Sequence, residues 1–174
     1  MIVGVPKEIK NHEYRVGLTP EAAREYVSAG HHVIIESGAG LGISKTDADY
    51  LKIGAEIAEN AEEVFSRSEM IVKVKEPQPE EWCRLKEGQI LFAYLHLAPD
   101  PEQAKGLMAS GVAAVAYETV TAKDGSLPLL APMSEVAGRL SIEASAQAGH
   151  RFNGGRGILM GGVPGVLPAK VVVL

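Results

Sequence analysis

The chain has one cysteine, Cys83, among its 174 residues. An internal disulfide is therefore excluded, and no metal centre can be built from thiolates. A reducing, cytoplasmic setting is expected. Long hydrophobic runs are also missing. The segment MIVGVPKE turns charged too soon for a secretory leader. No apolar stretch approaches the roughly 20 residues that a membrane span needs. Excess positive charge is absent as well: Lys and Arg number 17 against 22 Asp and Glu, for a net charge of -5. The cations are scattered rather than gathered in a stripe, which argues against nucleic acid and against anionic membrane surfaces as partners. No two of the five histidines share metal-ligand spacing on one helix, so no metal is expected.

What is present is a globular composition, 46% hydrophobic and 22% charged. Short apolar runs alternate with helical stretches. Strands are expected at residues 2–5, 33–36, 70–75, 90–95 and 112–117. Helices are expected at 20–29, 46–51, 61–66, 101–109 and 132–148. The first of these starts well, with Thr19 as N-cap, Pro20 in the first turn and Gly30 past its end. The strands are rich in Val and Ile with little alternation, as when both faces are covered. Together these features predict an α/β fold, a mainly parallel sheet flanked by helices in the flavodoxin-like manner. Residues 1–133 are expected to form this substrate domain. Residues 134–174 are expected to hold a connecting helix, a Gly-rich loop at 154–168, and KVVVL (170–174) as the first strand of a truncated nucleotide-binding domain.

Ligands of open parallel sheets bind beyond the carboxyl ends of the strands. Lys7, Glu8 and then Arg15 follow the first strand. Lys75 closes the third, His96 follows the fourth and Glu118 the fifth. Such a rim suits a small carboxylate that undergoes proton transfer. Arg15 offers a planar fork for a carboxylate, with a surface ion pair as the competing reading. Lys75 shares a strand face with Lys73, and one of the two is expected to be merely solvated. His96 can serve as both acid and base near neutral pH, or be a structural histidine. Glu118 could orient a base or a cation, but capping or pairing is the plainer role. His12, His31, His32 and His150 lie in less suitable places. The segment HHVIIESGAGLGIS mimics a dinucleotide fingerprint, but Ile43 stands where its third glycine belongs and the helix beyond is short and polar.

Several stretches are more specific. MIVGVPKEIKNHEYRVGLTPEAA resembles the opening shared by alanine dehydrogenases and proton-translocating transhydrogenases. YLHLAPD, AYETV, LPLLAPMSEVAGRLS and NGGRGILMGGVPGVLPAKVVVL resemble the alanine dehydrogenase family more narrowly, and the likeness runs through the whole chain. The resemblance implies NAD-dependent, reversible oxidative deamination of L-alanine to pyruvate and ammonium by a homohexamer. By motif it implies that Arg15 and Lys75 bind substrate, that His96 is the acid/base group, and that Ser134 touches NAD with Met133 packing nearby. Glu118 is implied to lie close to the site. Since the chain stops where the pyrophosphate-binding turn is expected, turnover by these 174 residues alone is not expected. A transhydrogenase-type subunit and a non-catalytic binding or assembly module are the competing readings.

Overall fold

The computed structural model describes residues 1–173. It divides into two compact units, Met1–Val120 and a second from Thr121 onward. The first unit holds six strands: β1 (Ile2–Val5), β2 (His32–Glu36), β3 (Glu56–Ala58), β4 (Met70–Val72), β5 (Ile90–Ala93) and β6 (Ala113–Ala116). Between them run α1 (Pro20–Ser28), α2 (Asp47–Leu51), α3 (Ala61–Arg67), α4 (Pro79–Trp82) and α5 (Pro101–Ser110). All strand pairs are parallel, in the order β3-β2-β1-β4-β5-β6. Without the short edge strand β3, this is the order of a flavodoxin-like sheet. The α/β architecture expected from sequence is the one observed.

Local chemistry explains the elements. Thr19 accepts a hydrogen bond from Ala22 N at 3.3 Å, and Pro20 starts α1 without wasting a donor. Asn60 caps α3 and Asp100 caps α5 in the same way. Burial on both faces of the sheet accounts for the missing alternation. Val3, Val5, Val33, Ile35 and Val72 enter one core cluster with Tyr50. Ile34, Ile71, Leu91 and Ala93 enter the other with Val64 and Phe65. The strands are therefore continuous Val/Ile runs, since no face is left for polar residues.

Two elements were not anticipated. Strand β3 has only three residues and pairs with β2 alone, at the sheet edge. Helix α4 is one turn, hidden behind two prolines at Pro77 and Pro79. One expectation fails outright. No strand forms at residues 170–173, because a strand exists only through a ladder partner and none pairs there. Leu174 lies outside the described residues. In the second unit, the helix expected at 132–148 is present as α6 (Ala131–Gly149). Its apolar stripe leaves Val136 and Leu140 about half exposed.

Tyr50 joins the sheet to the segment preceding α1. It is fully buried, and its hydroxyl donates to Leu18 O at 2.9 Å. Burial pushes that hydroxyl up to about 12. Tyr50→Phe would strand the Leu18 carbonyl in the core. A urea melt should show a loss of about 1–2 kcal/mol, and an unchanged midpoint would contradict this account.

Candidate functional site

The chain runs outward from β1 to β2 and β3, then returns to lay β4 against the other side of β1. The crevice at this reversal, beyond the strand ends, is where an open parallel sheet receives its ligand. Three expected residues approach it from neighbouring strand ends.

Arg15 rides on the segment between β1 and α1. Val16 and Leu18 anchor that segment by burial. Gly17 between them lies so close to β4 that a Cβ would stand 2.4 Å from Val72 O. The guanidinium grips Glu13 with two bonds, Nε to Oε1 at 2.8 Å and Nη2 to Oε2 at 2.6 Å. The ion-pair reading of Arg15 is thus realised, but the pair sits at the crevice rather than on open surface. Arg15, Glu13, Glu8, Lys7 and Tyr14 line one cavity of about 210 Å³ with Gly42. The Arg15 hydrogen bonds hold the Glu13 carboxyl below the usual range against the opposing effect of burial, and Lys75 adds a smaller pull. Both cations therefore act on one carboxylate.

Lys75 follows β4 and is half-buried. Its backbone N–H points at Glu8 Oε1, 3.4 Å away, and the same oxygen takes Val74 N at 2.6 Å. Lys73 is not solvated, contrary to the expectation for one lysine of the pair. It is 1% exposed, with Nζ 2.7 Å from Glu81 Oε1 and 3.5 Å from Glu8 Oε2. Two carboxylates supply what water would have supplied.

His96 stands just past β5 with φ at +49°, a region that side chains seldom adopt. Glu118, after β6, holds that conformation by accepting from His96 N at 2.7 Å and Leu95 N at 3.1 Å. Capping is therefore what Glu118 does, and through it Glu118 sets the direction of His96. The imidazole Nδ1 lies 3.5 Å from Glu76 Oε2. Lys10 binds the other oxygen of Glu76. Burial pushes the Glu76 carboxyl up, but the Lys10 bond and the charges of Lys10 and His96 outweigh it, and the carboxyl stays below its ordinary range. Backbone strain at a charged crevice is a recurrent mark of functional positions.

Arg15 and Lys75 are thus linked through Glu13, while His96 pairs with Glu76, the residue next to Lys75. Sequence reasoning noted Glu8 but gave it no role, and it missed Glu13, Glu76 and Glu81 altogether. The available signal was the carboxylates interleaved with cations in VPKE and KVKEP. Ser134 and Met133 belong to the second unit. Ser134 is exposed in α6, with only a long 3.4 Å bond to Leu130 O. Among the described residues no cluster of His, Cys, Asp and Glu could hold a metal, and no helix is long and apolar enough to cross a membrane.

Comparison with known proteins identifies the family. The family model "Alanine dehydrogenase/PNT, N-terminal domain" matches residues 4–137, and "Alanine dehydrogenase/PNT, C-terminal domain" matches residues 141–174. An alanine dehydrogenase of Methanococcus maripaludis is 56% identical over the whole chain, which covers 47% of that protein. The alanine dehydrogenase of Bacillus subtilis is 51% identical, again over the whole chain and 46% of its own length. A solved L-alanine dehydrogenase superposes with a TM-score of 0.85 at 53% identity, over 97% of this chain and 46% of that one. A transhydrogenase from Sinorhizobium meliloti is more distant, with a TM-score of 0.64 at 29% identity over 68% of this chain and 35% of that one. The chain spans about half the length of the curated relatives it matches. By sequence over its full span and by the arrangement of its sheet, the chain belongs to the alanine dehydrogenase/PNT family.

Proposed function

We propose that this chain forms the substrate side of an NAD-dependent alanine dehydrogenase, which interconverts L-alanine with pyruvate and ammonium. The observation that carries the reading is the placement of Arg15, Lys75 and His96 after the neighbouring strands β1, β4 and β5, each beside a carboxylate at the same end of the sheet. Alanine dehydrogenase relatives of about half identity support the choice of substrate over a transhydrogenase reading.

In this reading the Arg15 fork exchanges Glu13 for the substrate carboxylate. The Lys75 ammonium donates to the carbonyl oxygen of pyruvate and draws electron density from the carbon that changes oxidation state. His96 removes a proton from the water that adds to the imine carbon, and returns it as ammonium departs. Glu76 lies beside Nδ1 and leaves Nε2 as the nitrogen for substrate. NAD, when bound, would supply the acceptor for the hydride of the alanine α-carbon. The exposed Ser134 hydroxyl is committed only to a long bond within its own helix, so it fits a role in holding the cofactor. Residues 1–133 act as the substrate domain, and residues 134–174 begin the cofactor domain. The change between the two family models falls near that division, after residue 137. A homohexamer in the cytoplasm completes the proposal.

Calorimetry with pyruvate tests it. The chain should bind pyruvate, and Arg15→Ala and Lys75→Ala should each weaken binding roughly 10- to 100-fold, the equivalent of one charged hydrogen bond. Self-association without any pyruvate binding would favour an assembly module instead.

A further inference from the structure

The strand ladder explains why Glu8 lies where it does. Strand β1 pairs with β4 only through Val3↔Met70 and Gly4↔Ile71. Pro6 then ends β1, while the chain after β4 continues along β5 through Lys73 N to Phe92 O and Tyr94 N to Val74 O. The amides of Val74 and Lys75 consequently have no β1 carbonyl to bind. Glu8 Oε1 replaces that carbonyl, at 2.6 Å from Val74 N and 3.4 Å from Lys75 N. A side chain thus extends the sheet past the point where backbone pairing stops.

The other oxygen of Glu8 is held from below. Glu8 Oε2 is buried, makes no hydrogen bond and faces Lys73 Nζ at 3.5 Å. Lys73 in turn bonds Glu81 Oε1 at 2.7 Å. Glu81 Oε2 accepts from Gln78 N at 2.7 Å and so fixes the start of α4. All three charged side chains are nearly or fully buried. Three charges buried without solvent are costly to assemble, and hydrophobic residues of like volume would often stabilise more. Their presence makes sense when the arrangement fixes a register that apolar packing would leave loose.

We infer that Glu8, braced by Lys73 and Glu81, is a positioning residue: it fixes the backbone at Val74 and Lys75 and thereby aims the Lys75 ammonium at the substrate. Glu8 does this without touching the reacting atoms. The inference rests on the proposed role of Lys75 in binding pyruvate, but its first test does not.

In the wild-type chain, hydrogen exchange followed by NMR should find the Val74 and Lys75 amides as slow as the ladder amides of Lys73 and Tyr94. Exchange as fast as that of open loop amides would overturn the inference without any variant being made. In Glu8→Gln, the Val74 amide proton should move upfield as its carboxylate acceptor becomes a neutral amide. The dissociation constant for pyruvate should rise at least tenfold. Val64→Ala, a cavity in the opposite core cluster, provides the comparison. It should lower the melting temperature and leave pyruvate affinity within twofold of wild type. Equal weakening in Glu8→Gln and Val64→Ala would reduce Glu8 to a purely structural role. If the wild-type chain does not bind pyruvate at all, the proposed function fails, while the amide measurements still decide whether Glu8 holds this backbone.

Discussion

Lys73→Ala should destabilise the first unit by about 3–5 kcal/mol, the usual consequence of removing one partner from a buried charge pair. Lys73 Nζ is the cation that the Glu8 and Glu81 carboxylates share. Its removal leaves two buried carboxylates facing each other. With total stabilities near 5–15 kcal/mol, a loss of this size leaves little folded protein at 37 °C. Replacing all three charges together, as Lys73→Met with Glu8→Gln and Glu81→Gln, should recover most of the stability while giving up the placement of Lys75. Urea denaturation of the two variants measures both effects. A loss of less than about 1 kcal/mol for the single variant would mean that water reaches the triad and screens it.

The same triad gives the wild type a pH signature. Burial, followed by repulsion from Glu81, raises the Glu8 carboxyl above its unfolded value of 4.5, against the pull of Lys73 and the backbone N–H groups. A raised acid binds its proton more tightly when folded. Its contribution to stability is full below pH 4.5 and declines as pH rises through the folded value. Glu13 runs the other way, because the Arg15 bonds depress it. Its contribution is full above 4.5 and is lost as pH falls through its lower folded value. Glu8→Gln should therefore flatten the fall of stability above pH 4.5, and Glu13→Gln should flatten the acid limb. Denaturant midpoints across pH read the two limbs separately.

Much of this was legible from the letters because strand ends announce themselves. Arg15, Lys75 and His96 could be picked out as polar residues following buried apolar runs, since open parallel sheets expose chemistry there. The carboxylates could not. Glu8, Glu76 and Glu81 look like ordinary surface charges, and what distinguishes them is proximity between segments far apart in the chain. Lys73 failed for the same reason. Alternation placed it on the Lys75 face, but only the three-dimensional presence of Glu8 and Glu81 turns a solvated lysine into a buried one. Strand β3 escaped because three residues carry no periodicity. The strand expected at 170–174 erred in the opposite direction. At the described residues 170–173, KVVV has every local preference for a strand, and preference without a ladder partner makes none.

Gly42→Ala should cost both stability and pyruvate binding, for a reason that explains the glycines of ESGAGLGIS. A Cβ on Gly42 would stand 2.1 Å from Tyr14 O and 2.9 Å from its carbonyl carbon, both backbone atoms that cannot swing aside. A Cβ on Gly40 would meet Lys45 O at 2.9 Å and the Tyr50 ring at 2.8 Å. These glycines let one backbone lie against another, which is also what a phosphate-binding loop needs, so the letters look alike. The neighbouring groups separate the two uses. Asp47 fills the space at the start of α2, taking Gly38 N at 2.8 Å and Ser37 Oγ at 2.7 Å. Asp49 closes a capping box with Thr46 and is held at about 2 by those hydrogen bonds. A helix start already carrying two carboxylates repels an anion rather than cradling one. In Gly42→Ala the Tyr14–Arg15 backbone or the Gly42 turn must move, and overpacking of this kind costs about 1–3 kcal/mol or more. Because Gly42 and Arg15 line the same cavity, the displacement should also weaken pyruvate binding at least tenfold. Val64→Ala, in the opposite core cluster, should lower stability without that loss of affinity. A Gly42→Ala chain that melts and binds like wild type would show that Arg15 is held by something other than the backbone packing of Tyr14 against Gly42.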